Sequence, residues 1–179
     1  MRPTGTHLGL NKYGFKLTWV GMPGMSWINI VPLVFRSIRC FGIPRAILLH
    51  VGGNDLGNYS TKELIKHLKF AIYVVNRMLP TTSFIFSTIL PRRSWRYPSN
   101  CIAMENARKR VNHAIRTFVQ YNCAYVVTHP DLEDCHPSLF KDGVHLSFLG
   151  NGIFINIIQG ALEQFVLNPY ITQSVCIHT

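Results

Sequence analysis

Three short apolar runs govern what this chain can fold into. They are Ala46–His50 within AILLHVGGND, residues 83–91 as SFIFSTILP, and residues 124–130 as AYVVTHP. Each is nearly continuous in apolar residues and is followed by glycine or proline. Strands of that kind suit a sheet covered on both faces, hence a parallel one. A shorter alternating run, KLTWVG at 16–21, predicts a further strand at the start.

Helical patterns separate these runs. STKELIKHLKFAIYVVNRMLP opens with Ser60 and Glu63 at capping-box spacing. Leu64, Leu68, Ala71, Val75 and Met78 then fall on one face, and Pro80 ends the helix. NCIAMENARKRVNHAIRTFVQ repeats the pattern with Met104, Ala107, Val111, Ile115 and Phe118. Residues 26–41 read as a helix with Pro32 near its start or at a kink. Residues 149–166 read as the last helix, entered through Gly150 and Gly152. Strand and helix alternate four times, which predicts a three-layer α/β/α sandwich with right-handed crossovers and a parallel, flavodoxin-like sheet.

At 179 residues the chain is expected to form one domain over 1–168, with a loose tail over 169–179. Hydrophobic residues make up 47% and charged ones 15%, which excludes a disordered chain. The longest apolar stretch, GIFINIIQGALEQFV, is broken by Asn156, Gln159, Glu163 and Gln164, so no membrane span is expected. The first residues have no apolar segment of signal-peptide type, which points to the cytoplasm. Five scattered cysteines with no CxxC pair suggest free thiols in a reducing compartment.

The net charge of +10 concentrates in two places. ARKRVNHAIR, with Arg108, Lys109, Arg110 and Arg116, reads as the solvated face of a helix. PRRSWRY places Arg92, Arg93 and Arg96 beside Trp95 and Tyr97. Arginines with aromatics suit phosphate contact and base stacking, so Arg92, Arg93, Trp95 and Arg96 form a candidate substrate or anion edge.

In a sheet of this type the working site lies beyond the carboxyl ends of the strands. VGMPGM, GGND, PRRSWRY and DGVHLS all fall there. The glycines of GGND allow a tight turn, after which Asn54 can aim its amide as an oxyanion donor. Asp142 and His145 stand three residues apart, the pattern of an orienting carboxylate and a general base. Turn formation by Asn54 and helix capping by Asp142 are the structural alternatives. His50, His129 and His136 are rival histidines, but none has an aspartate at comparable spacing. His129, Asp131, Asp134 and His136 match no established metal-ligand spacing.

These blocks resemble a known family. Gly52-Gly53-Asn54-Asp55 is similar to the GxND block of the SGNH (GDSL-type) hydrolases, and Asp142-Gly143-Val144-His145 to their DxxH block. WVGMPGMSW resembles their intermediate glycine block. The resemblance spans roughly residues 5–166, with the motifs in the family's order. The wording of DGVHLSFLGN and RPTGTHLGL is similar to vertebrate retrotransposon-related SGNH-like domains.

The resemblance implies an esterase without a cofactor or metal. Asn54 and the backbone N–H of Gly24 would face the oxyanion, His145 would be the base, Asp142 its orienter, and Asp55 a brace of the turn. The family's Gly-Asp-Ser block, carrying the serine nucleophile on the first, central strand, has no counterpart in this sequence. Ser26 sits in the second block, too close to GGND to replace it, and Ser147 is placed to cap the last helix. The expected outcome is an inactive, marginally stable copy acting on no ester. One alternative is a binding module for nucleic acid or another anion. The other is an active esterase whose serine lies in an upstream segment.

Overall fold

A computed structural model describes residues 7–95, 100–121 and 125–167. Arg96, Tyr97, Cys123, Cys176 and the tail 169–179 lie outside the described residues. Among the described residues the sheet has three parallel strands, β1 Ala46–His50, β2 Ser83–Ser87 and β3 Tyr125–Val127, in the order β1-β2-β3. Their register runs from Ala46 opposite Ser83 to His50 opposite Ser87, and from Ile85 opposite Tyr125 to Ser87 opposite Val127. Four helices join and cover them: α1 Ile30–Phe41, α2 Thr61–Met78, α3 Cys101–Tyr121 and α4 Phe148–Leu167. The three-layer α/β architecture is that expected from the apolar runs.

The alternation of side chains across the strands builds two cores. Ile47, Leu49, Phe84, Phe86 and Val126 pack towards α1, α2 and α3. Ala46, Leu48, Ile85, Tyr125 and Val127 pack on the other face, against α4 and the segment carrying Leu8, Leu10, Phe15 and Leu17. Because β2 has a neighbour on each side, Phe84, Ile85 and Phe86 are all buried.

Local rules account for the helices. Ser60 accepts from the N–H of Glu63, whose carboxylate takes the N–H of Ser60, which starts α2 as a capping box. Leu64, Leu68, Ala71, Ile72 and Val75 form its buried stripe, whereas Met78 stays exposed. Asn100 accepts from the N–H of Ala103 at the start of α3. Pro32 occupies the first turn of α1, where a missing N–H is tolerated. Ser147 Oγ accepts from the N–H of Gly150 and starts α4. A side chain at Gly150 would place its Cβ 2.3 Å from the carbonyl oxygen of Leu139, so glycine lets α4 sit directly on the turn before the DGVH loop.

Two expectations are corrected. Residues 16–21 form no strand and leave Trp19 and Val20 exposed. A period-two pattern makes a strand only where a neighbour pairs with it, and no described residue pairs along the outer edge of β1. The basic run of α3 is not wholly a solvated face. Lys109, Arg110 and Arg116 are exposed, but Arg108 is 1% exposed and its guanidinium bonds to Glu105, Glu133 and the carbonyl of Ile89.

Candidate active site

Four turns beyond the carboxyl ends of β1, β2 and β3 meet on one edge. The first is Met22-Pro23-Gly24-Met25, closed by a 3.1 Å bond from the N–H of Met25 to the carbonyl of Met22. Gly24 takes φ +67°, as the third residue of a type II turn requires. The second is Gly52–Asp55, closed by the N–H of Asp55 on the carbonyl of Gly52. These two turns are tied together. Asp55 accepts from Ser26 Oγ and, at 3.0 Å, from the N–H of Trp27, while the amide of Asn54 donates to the carbonyl of Met25 at 3.0 Å. Asp55 is 1% exposed, and burial raises its pKa above the ordinary carboxylate value. It braces the turn.

Arg92 carries the edge onward. Its guanidinium donates to Asn54 Oδ1 at 3.0 Å and lies over the ring of Trp95, 5.5 Å from the centroid. Trp95 is 9% exposed, so its faces are occupied by the protein itself. The N–H groups of Arg93 and Ser94 then both donate to the carbonyl of Gly143, at 2.8 and 3.1 Å. The turn 22–25, the GGND turn, the 92–95 segment and the DGVH loop thus form one continuous hydrogen-bonded edge.

At its far end stands an Asp–His pair. His145 Nδ1 lies 2.7 Å from Asp142 Oδ2. Asp142 Oδ1 accepts from the backbone N–H groups of Val144 and His145 at 3.0 and 2.7 Å. Those bonds, led by the N–H of His145, hold the Asp142 carboxyl well below its ordinary range. The pair is open to solvent, with the side chains 77% and 49% exposed. With Nδ1 engaged, Nε2 is the nitrogen left to take a proton from a nucleophile or water. Asn54 has one amide N–H on Met25 and a second one left for an oxyanion.

No described serine bonds to this histidine. Ser26 is held by Asp55, and Ser147 donates to the carbonyl of Ser138 while capping α4. A serine that meets two histidines lies elsewhere. Ser87 Oγ stands 2.9 Å from His50 Nδ1 and 2.7 Å from His129 Nε2, inside the protein at the end of β2. Ser87 and His129 are almost wholly inaccessible. The alternation of the strands predicts burial at Ser87 but not this partnership, because one histidine ends β1 and the other follows β3.

His136 caps the turn Pro137–Leu139 through Ser138. No described group of three or more His, Cys, Asp or Glu side chains is placed to hold a metal ion, the set around His129 and His136 included. A cleft of about 410 Å³ is lined by residues such as Arg108, His113, Arg116 and His129 and includes neither Asn54 nor His145. Cys40, Cys101 and Cys135 are free thiols. No described helix is long and apolar enough to cross a membrane.

No protein-family model matches the sequence, and neither does any curated protein. Solved structures do match. A family 3 carbohydrate esterase from Clostridium thermocellum superposes with a TM-score of 0.67 at 20% identity, over 90% of this chain and 85% of that one. A GDSL-like lipase from Bacteroides thetaiotaomicron gives 0.65 at 16% identity, over 87% and 78%. The esterase domain of the ZfL2-1 ORF1 protein, from the zebrafish ZfL2-1 retrotransposon, gives 0.50 at 26% identity, over 79% and 85%. The architecture and the likenesses agree with the resemblance carried by GGND and DGVH: this chain has the fold of the SGNH (GDSL-type) hydrolases, and is similar in sequence to a retrotransposon esterase domain.

Proposed function

We propose that this chain is an SGNH-type carboxylic-ester hydrolase domain in which the base side of the machinery is assembled and the nucleophile is not. The observation that carries the reading is the His145 Nδ1–Asp142 bond at the end of the edge that begins at Asn54. In this reading Asp142 fixes the ring so that Nε2 faces outward as base, while Asn54 and the N–H of Gly24 stabilise an oxyanion. What is missing among the described residues is a hydroxyl on Nε2. In another triad hydrolase, loss of the serine lowers turnover on the order of a million-fold. The chain as it stands therefore hydrolyses p-nitrophenyl acetate at the buffer rate, and His145→Ala changes nothing. Hydrolysis by purified protein that disappears in His145→Ala would sink the inactive reading.

A second reading keeps the same residues and takes the hydroxyl from outside the described segment. The unpaired outer edge of β1 favours it, since a parallel strand added there would end beside the GGND turn. Esterase activity gained when any upstream coding sequence containing Gly-Asp-Ser is included would select this second reading. A base-stacking role for the Arg92–Arg93–Trp95 edge has less support, because Trp95 is buried beneath Arg92.

A further inference from the structure

All eight acidic residues of this chain lie from Asp55 onward. The first 54 residues hold six Lys and Arg and no Asp or Glu. The same stretch holds a concentration of exposed large apolar side chains: Trp19, Val20, Met22, Ile28, Phe35, Phe41 and Ile43. Cationic and apolar character thus coincide in one stretch of the sequence.

The two characters interleave on α1. Its inward residues, Ile30, Val31, Val34 and Ile38, pack into the core. Pro32, Phe35, Arg36, Arg39 and Cys40, at helical spacing, form the opposite face and line a shallow hollow of about 300 Å³. Phe35 is 54% exposed, and Ile28 and Ile43, just before and after the helix, are 59% and 67% exposed. Arg36 and Arg39 are exposed and form no ion pair with a described residue.

Cations alone fit any polyanion. Large apolar side chains set between unpaired arginines fit a surface that offers negative headgroups with an apolar layer beneath. A second copy of this face is a poor match, because Arg36 and Arg39 would meet their own like charges. We propose that the outward face of α1 docks on an anionic lipid bilayer, with Phe35, Ile28 and Ile43 at the headgroup boundary and Arg36 and Arg39 on the headgroups. The proposal is independent of the Asp142–His145 pair and holds whether or not the chain hydrolyses esters.

The test is sedimentation of the full chain with phosphatidylcholine vesicles, with and without a third of phosphatidylserine. Binding is expected to the anionic vesicles only, weakening with salt. Each arginine is expected to be worth about fivefold in affinity, so Arg36→Gln with Arg39→Gln lowers it roughly 25-fold. Phe35→Ser with Ile43→Ser is expected to abolish the binding that remains at high salt. These side chains are exposed, and unchanged far-ultraviolet circular dichroism would certify the fold of each variant. Arg36→Glu serves as a further variant should a double substitution unfold. Equal binding to neutral vesicles, or none to anionic ones, would overturn the proposal. So would binding of a polyuridine oligonucleotide that needs Arg36 and Arg39 while vesicle binding ignores Phe35, for that is charge recognition without a membrane.

Discussion

Arg108 lies in the interior of α3 with three partners: the carboxylates of Glu105 and Glu133 and the carbonyl of Ile89. Asn112, one turn on, takes both the N–H and the carbonyl of the same Ile89. Together they fasten α3 to the strand exit that leads to the 92–95 segment. Arg108→Ala would leave two carboxylates facing a vacated site, one of them 42% exposed and so partly relieved by water. Breaking a buried pair in this way costs about 3–5 kcal/mol, against about 5–15 kcal/mol for a whole domain. Urea unfolding of Arg108→Ala is expected to show a loss in the lower part of that range, and a loss under about 1 kcal/mol would mean the network holds little. The burial of Arg108 was hidden in the sequence because Glu133 lies 25 residues away. The Asp142–His145 bond was legible because one short turn brings both side chains together, and its geometry is set by Asp142 accepting the N–H groups of that same turn. Asn54 was legible as a turn residue through its glycines, but its bond to Arg92 was not, being made across 38 positions.

At the scale of elements, β1 is an open edge of the sheet. Like β3, it pairs only with β2. Ala46, Ile47 and Leu48 are only half-buried, unlike Phe84, Ile85 and Phe86 of β2. A row of β1 backbone groups thus has no ladder partner among the described residues. Amide hydrogen exchange should read this directly. Ile85 and Phe86 are expected among the slowest amides, while the outward-facing half of the β1 amides exchange at least tenfold faster. Uniform slow exchange from Ala46 to His50 would show that something covers that edge in solution. The helices were readable because caps, stripes and stops are local, as Ser60, Glu63 and the Leu64–Val75 stripe show. The strand expected over 16–21 failed for the converse reason. Alternation in KLTWVG states which faces a strand would have, but nothing in a single segment states whether a neighbour exists.

At the scale of the whole molecule, acid should act through the buried histidine between the two cores. His129 is 1% exposed, contacts Ser87 through Nε2 and has no partner for Nδ1. Burial, with His50 nearby, lowers its pKa from 6.5 to about 4. His50 is pushed the same way by the protein around it. Residue 50 is nevertheless exposed, and water offsets part of that penalty, so His129 carries the larger share of the effect. The sign follows from proton counting. Between pH 6.5 and about 4 the unfolded chain binds a proton at residue 129 that the folded chain refuses. Stability therefore rises with pH across that window and falls as acid is added, by about 3 kcal/mol once the window is crossed. Above pH 6.5 both states are neutral there, and the group contributes no slope. Asp142 has the opposite shift in a lower range. Its depressed pKa means stability that is present above the unfolded value of 3.8 and lost only as pH falls further. The two effects therefore separate on the pH axis. Urea midpoints measured from pH 7 to about 4.5 are expected to fall steadily in the native chain and far less in His129→Gln, which keeps a polar group for Ser87 without a titrating ring. A flat native profile, or an equally steep one in His129→Gln, would show that His129 is not the group through which acid reaches the fold.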